Sequence, residues 1–275
     1  IISAFFELGI DPYDVIKISG IGCSSKLPGY FMSKSQGINS MHGRMAPIAT
    51  GAHVANANPI YIGISGDGDS ASIGLGGFAH LIRRNVKMIY IVANNGVYGL
   101  TKGQFSPTAD KRSILKSGQR NFYDGIDICS FALEMGCDFV ARTGSSNAKL
   151  TVNILKQAIQ HPGTAIIDIV SPCITFNNHE GSTKSYDYLK EHSLQLEEVT
   201  QSLPAYDATD KMLAVLLLAE AKEKEKILTG LIYRNENSEP FHQYTNLTAT
   251  PLRELNEQQL RPSITDLQKL IQSFT

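Results

Sequence analysis

Between residues 15 and 170, short apolar runs alternate with segments of helical periodicity. Val15–Ser19, Tyr61–Ser65, Met88–Ala93, Phe139–Ala141 and Ala165–Val170 are mostly apolar, as strands covered on both faces are. Asp69–Arg84, Asp127–Met135 and Asn147–Gln160 space their apolar residues as helices do. Strands separated by helices predict βαβ units and an α/β fold with a doubly wound, mostly parallel sheet. Ile1–Leu8 reads as an apolar helix stopped at Gly9. Further on, Asp207–Ile227 predicts a long helix whose charged end, Glu220–Lys226, faces solvent. Asn235–Thr250 is polar and turn-prone. Ser263–Phe274 predicts a short terminal helix capped by Ser263.

Charge sharpens this division. The net charge of −1 hides 15 Lys/Arg against 11 Asp/Glu in residues 1–176, and 10 against 15 in residues 177–275. With no basic excess, nucleic acid is not an expected partner. No apolar run reaches the ~18 residues of a membrane span, so no membrane association is expected. Four cysteines without a C-x-x-C pair do not make a disulfide scaffold. The first residues lack the charged region and cleavage pattern of a signal peptide, so a cytoplasmic location is expected. Without such a signal, the sequon Asn246-Leu247-Thr248 reads as chance.

The most informative stretch is Tyr61–Gly77, where a strand runs into Gly66-Asp67-Gly68-Asp69-Ser70 and then a helix. Glycines admit a ligand close to the backbone, and a helix N-terminus offers free N–H groups to phosphate. Two cofactor readings fit. Gly66–Ala71 satisfies the dinucleotide pattern G-x-G-x-x-[G/A]. That reading needs an acid at the end of the next strand, which here ends in Asn94-Asn95. It also sets two carboxylates against a pyrophosphate. The other reading supplies a cation: Asp67 and Asn95 are hard oxygen ligands suited to Mg²⁺ that also binds a diphosphate. Gly-Asp-Gly followed by Asn-Asn resembles the thiamine diphosphate motif. A plain turn and helix cap would explain Gly66-Asp67-Gly68 alone, but not its pairing with Asn94-Asn95.

Longer segments extend the resemblance: SGIGCSSKLPGYF (Ser19–Phe31), HGRMAPIATG (His42–Gly51), Ser65–Asn85, NNGVYGLTKGQFSPT (Asn94–Thr108) and SPCITFNNH (Ser171–His179). Together they resemble the β subunits of 2-oxoacid:ferredoxin oxidoreductases, most closely those acting on 2-oxoglutarate. The resemblance covers about residues 1–200, an expected thiamine diphosphate-binding domain, and leaves residues 201–275 as an acidic, helical C-terminal extension. It implies oxidative decarboxylation of a 2-oxoacid to its acyl-CoA and CO₂, with electrons passed to ferredoxin. Pyruvate and branched-chain oxoacids are alternative substrates, and a non-catalytic thiamine diphosphate-binding homologue is a further alternative.

The resemblance also implies roles. Mg²⁺ would be held by Asp67, Asn95 and the carbonyl of Val97. Thiamine diphosphate would touch Ile21, Gly22, Cys23, Ser24, His42, Gly68, Asp69, Gly99 and Leu100. Lys26 and Lys102 would pair the distal carboxylate of a dicarboxylic substrate. Cys23 and Cys173 would ligate a [4Fe–4S] cluster, which needs four thiolates. The family draws the other two from a Cys-Pro-Gly-Cys motif, absent here, and the chain reads as truncated just after it. Cys129 and Cys137 flank a core helix and match no family ligand. Activating thiamine requires a carboxylate, yet no Glu occurs between residues 20 and 130. In the family that glutamate belongs to the partner α subunit, so this chain is expected to work only with such a partner.

Overall fold

The computed structural model describes residues 1–196, 206–245 and 250–274. Its strands are β1 (Val15–Ser19), β2 (Gln36–Asn39), β3 (Ile60–Gly66), β4 (Met88–Asn94), β5 (Val97–Tyr98), β6 (Gln104–Phe105), β7 (Phe139–Gly144), β8 (Thr164–Val170), β9 (Ser193–Gln195) and β10 (Ile227–Arg234). Eight of them form one sheet in the order β2-β1-β3-β4-β8-β7-β10-β9, and β5 and β6 pair separately. Neighbours in the large sheet run parallel except β10 against β7. The doubly wound, mostly parallel α/β fold expected from the sequence is therefore present.

Burial sets the register. Ile64, Ile91, Ile167 and Ala141 stand side by side across β3, β4, β8 and β7 on one face. Gly63, Tyr90, Ile166 and Val140 form the matching row, and the last three pack their side chains on the other. Each buried isoleucine contributes about 1.5–3 kcal/mol, more than the ~1 kcal/mol span of strand preference. Helices α1 (Ile2–Glu7) and α5 (Ala148–Gln160) cover the first face through Ala4, Phe5 and Ile154. Helices α2 (Met45–Ala55), α3 (Leu75–Arg84) and α4 (Ile128–Glu134), with the Lys211–Glu223 helix, cover the second. Local signals fix their starts: Asp127 and Asn147 accept the Ser130 and Leu150 N–H groups as N-caps of α4 and α5.

The acidic C-terminal part differs from expectation in one respect. The helical reading of 201–275 omits β10, which enters the main sheet beside β7. Its sequence, ILTGLIYR, carries Gly230 at φ +126° and a register shift between Leu231 and Tyr233, features that break the usual strand pattern. The expected domain boundary at 200 falls within 197–205, and the sequon within 246–249, both outside the described residues. The charged run Glu220–Lys226 is solvated apart from buried Ala221. Ser263 caps the exposed terminal helix Ile264–Gln272. Among the described residues, no helix is long and apolar enough to cross a membrane.

Candidate active site

Parallel β1, β3, β4 and β8 end on the same edge of the sheet. The segments leaving them carry Ile21–Ser24, Asp67–Asp69, Asn95–Val97 and Cys173 respectively. From β1 the sheet extends outward to β2 and inward to β3. Open α/β sheets bind ligands outside such carboxyl ends, where strand order reverses.

At the end of β3, Asp67 is 2% exposed. Its Oδ2 accepts the Gly96 N–H at 2.9 Å, the Ser106 hydroxyl at 2.5 Å and the Thr108 hydroxyl at 2.6 Å. Burial pushes this carboxyl above its ordinary value, against the pull of those donors. All of the donors are neutral. A buried carboxylate is normally paired with a cation or coordinates a metal, and none of the described ion pairs includes Asp67. Asn95 lies at the end of β4, its Oδ1 accepting the Val97 N–H at 3.0 Å in a tight turn. Asp67 also holds the intervening Gly96. The donor set is oxygen from a carboxylate, an amide and a carbonyl, which fits a hard divalent cation such as Mg²⁺.

The second aspartate of the motif does something different. Asp69 Oδ1 accepts the Gly43 N–H at 2.6 Å and meets His42 Nδ1, while Oδ2 accepts the Ser65 hydroxyl. The Asp69 carboxylate thus stands against the His42 ring and fixes the Gly43 and Ser65 groups beside it. A Cβ on Gly20 would overlap Asp69 Oδ2, so only glycine fits there. One on Gly68 would overlap the Tyr98 ring, whose hydroxyl donates to the Gly68 carbonyl at 3.2 Å. Asp69 thus organises the loop through its side chain, and a helical segment begins at its backbone, Asp69–Ile73.

Cys23 and Cys173, 150 residues apart in sequence, converge on Gly99. A Cβ built there would stand 3.5 Å from each Sγ, so the two sulfurs lie within about 7 Å, twice that distance. Neither forms a disulfide. Two neighbouring cysteine sulfurs are half the number that a [4Fe–4S] cluster takes. Cys129 and Cys137 are fully buried; burial pushes Cys129 well above its ordinary value and Cys137 up to about 12. Among the described residues, no three His, Cys, Asp or Glu side chains gather as a metal site. Reaction of the folded, iron-free β chain with an aromatic disulfide reagent at pH 8 is therefore expected to modify Cys23 and Cys173 alone. The thiolate fraction of Cys137 there is roughly 10⁻⁴. Four modified cysteines before denaturation would contradict this placement.

Lys102 sits at the turn between β5 and β6 with φ +79°, and its N–H donates to the Gly99 carbonyl at 3.2 Å. Holding a non-glycine residue there costs about 1–3 kcal/mol, a strain typical of functional loops. Leu100 and Lys102 are exposed, as are Cys23 and Lys26. Ser24 lies beside β3: a Cβ on Gly66 would stand 3.4 Å from its hydroxyl. Ile21 and Gly22 are half-buried beside it. A cavity of about 910 Å³ contains none of these residues; Leu8, Leu150, Ile154, Gln157 and Leu231 help line it on another part of the sheet.

Sequence reasoning passed over four polar residues behind the site. Ser106 and Thr108 belong to a segment that carries the family resemblance, but without a role of their own. Arg142 and Asp168 interrupt the apolar strands FVARTG and TAIIDIV and are 6% and 1% exposed. Facing charges on adjacent buried strands were the available signal. Arg142 Nε donates to Asp168 Oδ2 at 2.8 Å and Nη2 to Asp127 at 2.5 Å.

The fold and this edge define a thiamine diphosphate enzyme, and residues 20–169 match the family described as thiamine pyrophosphate enzyme, C-terminal TPP binding domain. Residues 173–249 match the family of the C-terminal region of the pyruvate ferredoxin oxidoreductase β subunit. A 2-oxoacid:ferredoxin oxidoreductase subunit beta of a Sulfolobus species is 36% identical over 85% of this chain and 76% of its own. The 2-oxoglutarate synthase subunit KorB of Methanocaldococcus jannaschii is 36% identical over 72% of this chain and 74% of its own. A solved 2-oxoglutarate:ferredoxin oxidoreductase from Magnetococcus marinus, with 2-oxoglutarate, coenzyme A and succinyl-CoA bound, superposes at TM-score 0.80. It is 30% identical, covering 99% of this chain and 86% of that one. The chain belongs to the β subunits of the 2-oxoacid:ferredoxin oxidoreductases, and is thus a subunit of a multi-subunit enzyme.

Proposed function

We propose that this β subunit binds thiamine diphosphate through Mg²⁺ and serves an enzyme that oxidatively decarboxylates 2-oxoglutarate to its acyl-CoA and CO₂, with ferredoxin as electron acceptor. The carrying observation is Asp67, a buried carboxylate served only by neutral donors beside the Asn95–Val97 turn. Asp67, Asn95 and the Val97 carbonyl hold the metal. Ile21, Gly22, Cys23, Ser24, His42, Gly68, Gly99 and Leu100 line the cofactor, with Asp69 contributing its backbone. When bound, thiamine diphosphate supplies the electron sink that lets a 2-oxoacid lose CO₂. Cys23 and Cys173 provide two ligands of a [4Fe–4S] cluster, a role their convergence supports.

An α partner fits two further observations. Glu7 pairs with Lys156 at 2.8 Å and Glu134 is exposed at the end of α4, so neither flanking glutamate is placed among the site residues. Large exposed apolar side chains (Leu27, Met41, Ile73, Leu100 and Ile174) also border the site residues in sequence, as an interface requires. The four free cysteines suit a reducing cytoplasm.

The choice of substrate is supported by the names of the relatives and by Lys26 and Lys102, cations for a second carboxylate. With the α subunit present, Lys102→Ala is expected to raise KM for 2-oxoglutarate roughly 10- to 100-fold, the range of a charge-assisted hydrogen bond, and to change KM for pyruvate little. Equal effects on both would refute the substrate assignment. The β chain alone is expected to give no oxoacid-dependent reduction of a one-electron acceptor.

A further inference from the structure

We propose that Ser106 and Thr108 are positioning residues that aim one oxygen of Asp67 at the metal and so set the Mg²⁺ affinity of the site. The inference rests on the Mg²⁺–thiamine diphosphate reading above. Both hydroxyls are buried, lie 3.0 Å apart and converge with the Gly96 N–H on Asp67 Oδ2. Three donors occupy that oxygen. Among the described residues no side chain donates to Oδ1, the oxygen assigned here to the cation, although the Gly68 N–H also acts on the carboxylate.

The type of donor matters. A lysine or arginine in the place of Ser106 or Thr108 would neutralise Asp67 and compete with the metal. Hydroxyls orient the carboxylate and leave its full charge for the cation. Thr108 also spans two ligand-bearing strands. Its Oγ1 lies 2.9 Å from Asn94 Oδ1, beside Asn95 at the end of β4, while reaching Asp67 at the end of β3. The Asn94 amide is fixed in turn, because its Nδ2 donates at 3.0 Å to Asp168, a carboxylate that can only accept. Arg142 holds Asp168 from β7. The single Thr108 proton is shared between the Asp67 and Asn94 acceptors, so Thr108 stands between the Asp67 carboxylate and a buried polar row across β4, β8 and β7.

The test uses the assembled αβ enzyme and titrates Mg²⁺ at fixed thiamine diphosphate, reading cofactor binding by calorimetry. Thr108→Val preserves shape and removes the hydroxyl; the Mg²⁺ concentration at half-saturation is expected to rise about 10- to 100-fold, the usual cost of losing a partner of a metal ligand. Thr108→Ser restores the hydroxyl and is expected to bind Mg²⁺ as the wild type does, which a packing role for the methyl group would not allow. Ser106→Ala is expected to weaken Mg²⁺ in the same direction and serves as the measurement if Thr108→Val does not fold. Unchanged Mg²⁺ dependence in these variants, with a wild type that needs Mg²⁺, would overturn the positioning role and leave the cofactor reading standing. A wild type that binds thiamine diphosphate equally well without Mg²⁺ would overturn both.

Discussion

Replacing Asp67 with asparagine is expected to abolish Mg²⁺-dependent cofactor binding while leaving the metal-free protein at least as stable as the wild type. The two effects share one cause. The wild-type carboxylate is 2% exposed and served by neutral donors, so without metal it is an uncompensated buried charge. Such a charge costs several kcal/mol even after relaxation. An asparagine carbonyl can accept the same three donors, so these keep their partner. Its amide nitrogen then faces the position of the metal, and an N–H donor repels a cation. Losing a direct ligand exceeds the ~10- to 100-fold cost of losing a supporting one, so affinity should fall by more than about 100-fold. Urea denaturation in EDTA and Mg²⁺ titration of the same variant read the two halves. A lower urea midpoint, or retained Mg²⁺ dependence, would contradict the role given to Asp67.

Arg142→Met is expected to be among the most destabilising substitutions in the chain, by about 3–5 kcal/mol. The guanidinium is buried and bridges Asp168, itself 1% exposed, to Asp127 at the start of α4. Methionine matches much of the arginine stem, so the loss is electrostatic: Asp168 stays buried with only the Asn94 amide among its described partners. Acidity should expose the same network. Burial works to raise the Asp127 carboxyl, but the Arg142 charge and the Ser130 N–H outweigh it and hold the group below its ordinary value. A carboxylate depressed in this way stabilises the fold above its unfolded pKa, near 3.9, and that contribution is lost as the pH falls through the folded value. The wild type should therefore lose this contribution below about pH 4, and the variant should lack it at neutral pH. Chemical denaturation at pH 7 and pH 3 measures both. A variant within about 1 kcal/mol of wild type at pH 7 would show that Arg142 carries little of the load.

The centre of the fold was legible because burial on both faces leaves a plain mark. β3, β4 and β8 lie within one residue of the expected apolar runs, and β1 matches residue for residue. Elements at the margins were not. β2 is QGIN, a largely exposed edge strand without apolar spacing, and β10 carries Gly230 and a bulge where it joins β7. Both are held by neighbours distant in sequence, which no local pattern records. The strand ends that gather Asp67, Asn95, Cys23 and Cys173 on one edge of the sheet were equally plain, since these residues follow the apolar runs and lie in the segments that resemble the family. The roles behind it were not. Nothing local distinguishes Asp69, whose carboxylate turns to His42, Gly43 and Ser65, from Asp67, two residues earlier. Thr108 lies 41 residues from the carboxylate it serves.

Titration of thiamine diphosphate into the assembled αβ enzyme, once with Mg²⁺ and once with EDTA, bears most directly on the role of this β chain as the cofactor-binding subunit. Saturable binding at one site per β chain is expected with Mg²⁺, and none in EDTA. Binding that ignores the metal, or no binding under either condition, would contradict that role.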